Sequence, residues 1–127
     1  MSSSAQTSQI RFVYLGLAVI GAVTTWTYNI QWMLEQQRAM TASEFLTVGF
    51  SGSALLGSLA SDFWVGWFAS VIFMVIEGRR LQMQRIWVYV VLTFVIAWAF
   101  ALPLFLFVRE SVLSRERVDA RLQPAIT

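Results

Sequence analysis

The side chains able to move a proton or hold a charge in this 127-residue chain are seven carboxylates, nine arginines and three tyrosines. Histidine, cysteine and lysine are absent. Without cysteine there is no disulfide, thiolate nucleophile or iron–sulfur ligand. Without histidine the usual haem ligand, the commonest transition-metal ligand and the commonest general base are missing. Without lysine no Schiff base forms with retinal or pyridoxal phosphate. Ser–His triads and zinc hydrolysis within the chain are therefore excluded, and no Gly-rich phosphate loop follows a strand. Carboxylate acid–base chemistry, hard-cation binding by Asp and Glu, and contact with apolar ligands survive. No resident cofactor or metal is expected; an apolar pigment, a quinone or a lipid remains compatible.

These groups are positioned by apolar runs. Residues 86–108 are 23 consecutive uncharged positions, and residues 12–34 are a second run of the same length. A helix of that length reaches roughly 35 Å, enough for a hydrocarbon core of about 30 Å. The chain is 57% hydrophobic and 13% charged, a membrane balance rather than a globular one. A net charge of +2 with no basic stripe among exposed aromatics argues against nucleic acid. The fold class expected is an all-α integral membrane bundle of three transmembrane helices, with a short interfacial or re-entrant helix before the second span.

The boundaries follow from local signals. Residues 1–11 are polar and read as a disordered tail; a secretory signal with Arg11 as its basic region is disfavoured, because the apolar run is long and lacks a small-residue cleavage site. The first span carries a small-xxx-small pair, Ala18 and Ala22. Thr41-Ala-Ser-Glu44 has capping-box spacing and starts a helix that bends near residues 49–53. The uncharged stretch 63–76 is too short to cross alone, so the second span takes residues 56–78 and places Asp62 inside the membrane boundary. A four-span alternative leaves no room for a turn before Asp62. Residues 77–85 form a short charged turn, and Pro103 kinks the last turns of the third span. The transmembrane domain thus covers 12–110, followed by a charged tail, 111–127, that reads as an interfacial helix.

Antiparallel spans bring the end of the first, the start of the second and the end of the third to one membrane face. Trp26, Tyr28, Asn29, Asp62, Arg109 and Glu110 are expected to share it, with Asp62 paired to Arg109. This cluster reads as a polar pocket or, more plainly, as an ion pair that fixes helix register. At the opposite face, Glu77 and Arg80 are one helical turn apart, with Arg11, Arg79 and Arg85 nearby. Those five read as an anionic-lipid or phosphate site, or as snorkelling side chains that fix helix depth. On this topology the arginines divide four against five between the faces, so the positive-inside rule leans only weakly to a cytoplasmic N-terminus.

The chain resembles a family of short bacterial membrane proteins classed as domain of unknown function 2834. The resemblance lies in Y-L-G-L-A-V-I-G-A-V at 14–23, in S-D-F at 61–63 followed by I-E-G-R-R-L at 76–81, and in F-A-L-P-L-F-L-F-V-R-E at 100–110. The last two, in that order and spacing, are its specific part. It implies a three-helix membrane protein, in keeping with a bacterial inner-membrane location, and no activity.

Three functions are compatible with these residues. The reading best supported is a non-catalytic accessory or structural subunit that packs against the lipid bilayer, other membrane protein subunits or copies of itself. The second is an enzyme or binder for an apolar isoprenoid-like ligand, with Asp62 or Glu77 as proton donor and aromatics stabilising a carbocation. The third is a small oligomeric transporter.

Overall fold

A computed structural model describes residues 3–123, with side chains from residue 9 onward. The outermost parts of the two expected tails, 1–2 and 124–127, lie outside the described residues. The chain forms α1 (Ser3–Gln36), α2 (Ala42–Thr47), α3 (Ala54–Arg80), α4 (Ile86–Leu92), a π-helical turn (Thr93–Ala97) and α5 (Trp98–Leu122), with no strand among the described residues. The all-α class is as expected, and so is the short helix before the second apolar segment. Three segments are long and apolar enough to cross a membrane: Gln9–Gln36, Ala54–Arg80 and Ile86–Leu122.

Helix ends follow their sequence signals. The Thr41 hydroxyl accepts from the Glu44 amide at 3.3 Å, and Glu44 Oε2 accepts from the Thr41 amide at 2.9 Å, completing the capping box. Ser53 caps α3, accepting from the Leu56 amide. The break between α2 and α3 falls where Gly49, Ser51, Gly52 and Ser53 weaken helix propagation. At the far end of α3 the Met83 amide reaches the Gly78 carbonyl and the Gln82 amide reaches that of Arg79, a Schellman closure with Gln82 at φ 51°. Met83 then turns into the core beside Met74.

Both tails differ from their expected disorder or separation. No Gly or Pro precedes Phe12, so helix propagates back through residues 3–11. The charged segment after Arg109 likewise continues α5 to Leu122 without a break.

The path of the third apolar segment corrects the expected placement of its exit. A straight helix would hold Tyr89 and Phe105 roughly 24 Å apart. Their ring centroids are 5.4 Å apart. Ala97 is extended, at φ 179° and ψ 153°, and it separates the π-turn from α5. Contacts on either side fix the directions. Trp67 meets Phe94 at 4.9 Å, and a Cβ on Gly78 would press on Ile86, so α4 descends antiparallel to α3. Phe63 meets Trp98, Phe73 meets Phe105 and Glu77 meets Arg109, so α5 returns parallel to α3. Residues 86–97 and 98–109 are the two limbs of a helical hairpin, each roughly 18 Å long, or little more than half the hydrocarbon core.

A reversal at that depth must have its backbone covered by protein. Pro103 has no amide hydrogen, so the Ala99 carbonyl loses its partner four residues on. Gly21 of α1 sits against that carbonyl: a Cβ there would overlap the Ala99 oxygen and carbon. The absence of a Cβ is what lets the α1 backbone lie this close to the freed oxygen. Antiparallel packing of α1 on α5 continues to Arg11, whose Nη1 lies 3.5 Å from Ser111 Oγ. The backbone of α1 does not approach α3, because the hairpin lies between them. Gly66 makes room for the Trp98 ring in the same way, since a Cβ on Gly66 would stand only 3.2 Å from it. The core itself is small: Met74, Leu81, Met83 and the fully buried Phe105. Large apolar side chains such as Ile20, Val65, Ile72 and Phe94 are exposed, as lipid solvent permits.

Candidate functional site

The hairpin collects the arginines. Arg11 near the start of α1, Arg79 and Arg80 at the end of α3, Arg85 before α4, and Arg109, Arg115, Arg117 and Arg121 on the returning α5 all lie at one end of the bundle. Arg38 alone lies at the other. The expected division of four against five becomes eight against one, because α5 returns to the side from which α4 entered.

Glu77 is the centre of this end. Its residue is buried, and its carboxylate is forked by two guanidiniums. Arg80, one turn later on α3, donates from Nε to Oε2 at 2.7 Å and from Nη2 to Oε1 at 2.6 Å. Arg109 reaches across from α5, with Nε and Nη2 each 2.7 Å from Oε1. The Arg109 Nη1 also donates to Glu110 Oε1 at 2.8 Å. Four charges on two helices therefore form one chain, Arg80–Glu77–Arg109–Glu110. Such a network ties the end of α3 to the middle of α5 and leaves neither Glu77 oxygen without a cation.

The expected Asp62–Arg109 pair does not form. Asp62 lies fifteen residues before Glu77 on the same helix, roughly 22 Å away along its axis, and it is exposed. Trp26, Tyr28 and Asn29 lie on the exposed surface of the far half of α1, with Tyr28 68% exposed. The six residues expected to form one polar cluster are thus split between two ends: Arg109 and Glu110 join Glu77, and the other four stay behind. The physical reason is the reversal at Ala97, which turns the exit of the third segment back to the side it came from. Of the five residues expected at the lipid-contact face, Arg11, Glu77, Arg79, Arg80 and Arg85 do lie at one end.

Three arginines at this end have surroundings unlike the network. The Arg11 guanidinium sits over the rings of Phe12 and Phe107, at 5.3 and 5.5 Å, and its Nε is buried without an acceptor among the described residues. It opens onto a groove lined also by Ser111, Ser114, Arg115 and Asp119, residues whose sequence assigns them to a separate tail. Arg79 and Arg85 border a second groove, between α3 and α4. No three His, Cys, Asp or Glu side chains converge among the described residues to hold a metal ion.

At the opposite end, Arg38 forks Glu44 at 2.8 and 2.5 Å and lies 5.5 Å from the Trp32 ring centroid. The hydrogen bonds from Arg38, then those from the Thr41 amide and hydroxyl, hold the Glu44 carboxyl well below the usual range. This pair ties the end of α1 to the short α2. The capping box is visible in the sequence; its arginine, six residues before Glu44, has no helical or capping spacing to reveal it.

A family model described as protein of unknown function DUF2834 matches residues 13–111. The chain belongs to that family. The DUF2834 match starts in α1 and ends just past the ion-pair network, so it includes Gly21, Glu77, the reversal at Ala97, Pro103 and Arg109. No curated protein and no solved structure matches the chain.

Proposed function

We propose that this membrane protein is a non-catalytic accessory or structural subunit, working by packing against lipids and other membrane proteins in a bacterial inner membrane. The observation that carries this reading is the state of Glu77. The one buried carboxylate among the described residues is saturated by Arg80 and Arg109, so it serves as a lock between helices rather than as a poised acid. The exposed apolar surface of α1 and α3 supports the packing role. Eight arginines at one end support placing the N-terminus, the turn after α3 and the end of α5 in the cytoplasm. The same arginines suit contact with anionic lipid headgroups.

The test is affinity purification of the full chain in mild detergent, with Glu77→Gln and Asp62→Asn variants in parallel. Stoichiometric co-purification of another membrane protein, preserved in Asp62→Asn, is the expected result. A chain that purifies alone and turns over an apolar substrate, with turnover abolished by Asp62→Asn, would overturn the proposal in favour of an acid-dependent enzyme.

A further inference from the structure

The geometry points to a seat for one anionic phospholipid in the groove between α3 and α4, with Arg79 and Arg85 holding the phosphate and the apolar wall below them holding an acyl chain. It rests on the lipid-contact reading of the arginine face and names the site. The groove is open along its length rather than enclosed, with a volume of about 460 Å³, within the roughly 300–1,000 Å³ range of ligand sites. Its two arginines stand at the end where α3 stops and α4 begins, the charged end of both apolar helices. Its remaining walls are Val75, Met83, Ile86, Val90 and Val91. Val75 is one turn deeper than Arg79 on α3, and Val90 and Val91 are more than one turn deeper than Arg85 on α4. The groove therefore runs from charge to hydrocarbon along the membrane normal, the polarity sequence of a phospholipid.

The charge is available. Arg80 and Arg109 are bound to Glu77, but no carboxylate pairs with Arg79 or Arg85 among the described residues. Trp87, 66% exposed on the groove's lip, has the place of an interfacial aromatic. The left-handed Arg85, at φ 58°, and the Schellman closure before it set the two guanidiniums on facing helix ends. A zwitterionic lipid would bring its own cation to this pair; an anionic one brings none, which is the complementarity that selects it.

The experiment is native mass spectrometry of the full-length protein with added phosphatidylglycerol, phosphatidylcholine or inorganic phosphate. Wild type should retain one phosphatidylglycerol in preference to phosphatidylcholine. A basic residue near the headgroup adds about fivefold in affinity, so Arg79→Ala/Arg85→Ala should lose roughly thirtyfold. Both side chains are exposed, so the fold is not at stake. Val90→Trp, which fills the groove and leaves both arginines, should also lose the bound lipid. Equal retention of the two lipids by wild type, or undiminished phosphatidylglycerol binding by the double variant, overturns the proposal. Inorganic phosphate displacing the lipid from wild type would reassign the arginines to a free-phosphate site and overturn it too. A preference that survives in the double variant but disappears in Arg11→Ala/Arg115→Ala would refute this groove while leaving lipid contact by the arginine face intact.

Discussion

The reversal at Ala97 makes a prediction about sidedness that a labelling experiment can decide. Residues 86–122 as one straight helix would span roughly 56 Å, and Val118 would emerge on the face opposite Gln82, beside Ser51. With the hairpin, Val118 and Gln82 emerge together and Ser51 is alone. All three side chains are exposed, and the chain has no cysteine, so Ser51→Cys, Gln82→Cys and Val118→Cys each give a single reactive thiol on a silent background. A membrane-impermeant maleimide applied to sealed vesicles of one orientation should label Gln82→Cys and Val118→Cys alike and spare Ser51→Cys, with the pattern inverted in vesicles of the other orientation. A distance supplies the magnitude. Spin labels on Trp87→Cys/Arg115→Cys would be roughly 42 Å apart in a continuous helix, 28 residues at 1.5 Å each. In the hairpin both lie at one boundary, at about half that separation or less, since residues 89 and 105 already have their rings in contact. Co-labelling of Val118→Cys with Ser51→Cys, or a distance near the straight-helix value, would refute the reversal and every inference built on it.

Other perturbations test the contacts that hold the hairpin. Arg109→Ala leaves Glu77 buried with Arg80 as its sole cation, and loss of one partner of a buried pair costs about 3–5 kcal/mol, here at the low end because Arg80 stays; thermal unfolding in detergent should show it, and an unchanged midpoint would remove the network as a structural element. Gly21→Ala should cost about 1–3 kcal/mol by driving α1 off the Ala99 carbonyl, whereas Gly16→Ala, with open space around its Cβ position, should be neutral or slightly stabilising; equal effects from the two would reject the close approach. Glu44 ionises more readily than an ordinary glutamate because Arg38 and Thr41 bind its charged form, so its contribution to the α1–α2 connection is full above about pH 4.3, declines as pH falls from there, and is gone below its depressed native value. Carbon-13 shifts of the Glu44 carboxyl should still report an ionised group at pH 4; titration at the ordinary value would show that the capping box does not hold in solution.

Much of the fold is legible in the sequence because bilayer crossing is set by lengths that a sequence displays directly. Two 23-residue uncharged runs and the stretch before Arg79 fix the apolar helices, and Thr41 with Glu44 fixes the start of α2. The reversal is hidden for a physical reason. Its pivot, Ala97, takes an extended conformation open to any residue, so the segment Thr-Phe-Val-Ile-Ala-Trp-Ala at 93–99 carries no glycine, proline or asparagine to mark a turn. The run 86–108 also has the length of a single crossing, so nothing in its size demands two limbs. Pro103 is the available clue. It reads as a late kink, but its effect is felt at Ala99, where it frees the carbonyl that Gly21 then covers. The site follows the topology. Glu77 and Arg80 are evident from spacing alone, whereas Arg109 pairs with Asp62 only if its helix runs in the direction that the reversal forbids.

The half-depth hairpin also divides the molecule by layer. In the layer next to the arginines, α3 and both limbs pack around Phe105, the Glu77 network ties α3 to the returning limb, and α1 lies along that limb. In the other layer lie the second half of α1 and the first half of α3, whose backbones do not approach each other, and the short α2, whose Phe45 packs on Trp64 of α3. Val23, Ile30 and Leu34 of α1 and Leu55, Leu59 and Phe63 of α3 are exposed there. Helix association in a membrane is driven by close packing, hydrogen bonds and lipid entropy rather than by apolar burial, so these faces carry no penalty in lipid and no specificity of their own. One register is therefore fixed at two levels, by the Glu77 network at the arginine end and by the Gly21–Ala99 contact at the tip of the hairpin. An accessory role built on this fold would use the arginine end for recognition by headgroup charge and the open layer for lateral packing, which is why Gly21, Glu77 and Arg109 are the positions whose loss should be felt in both.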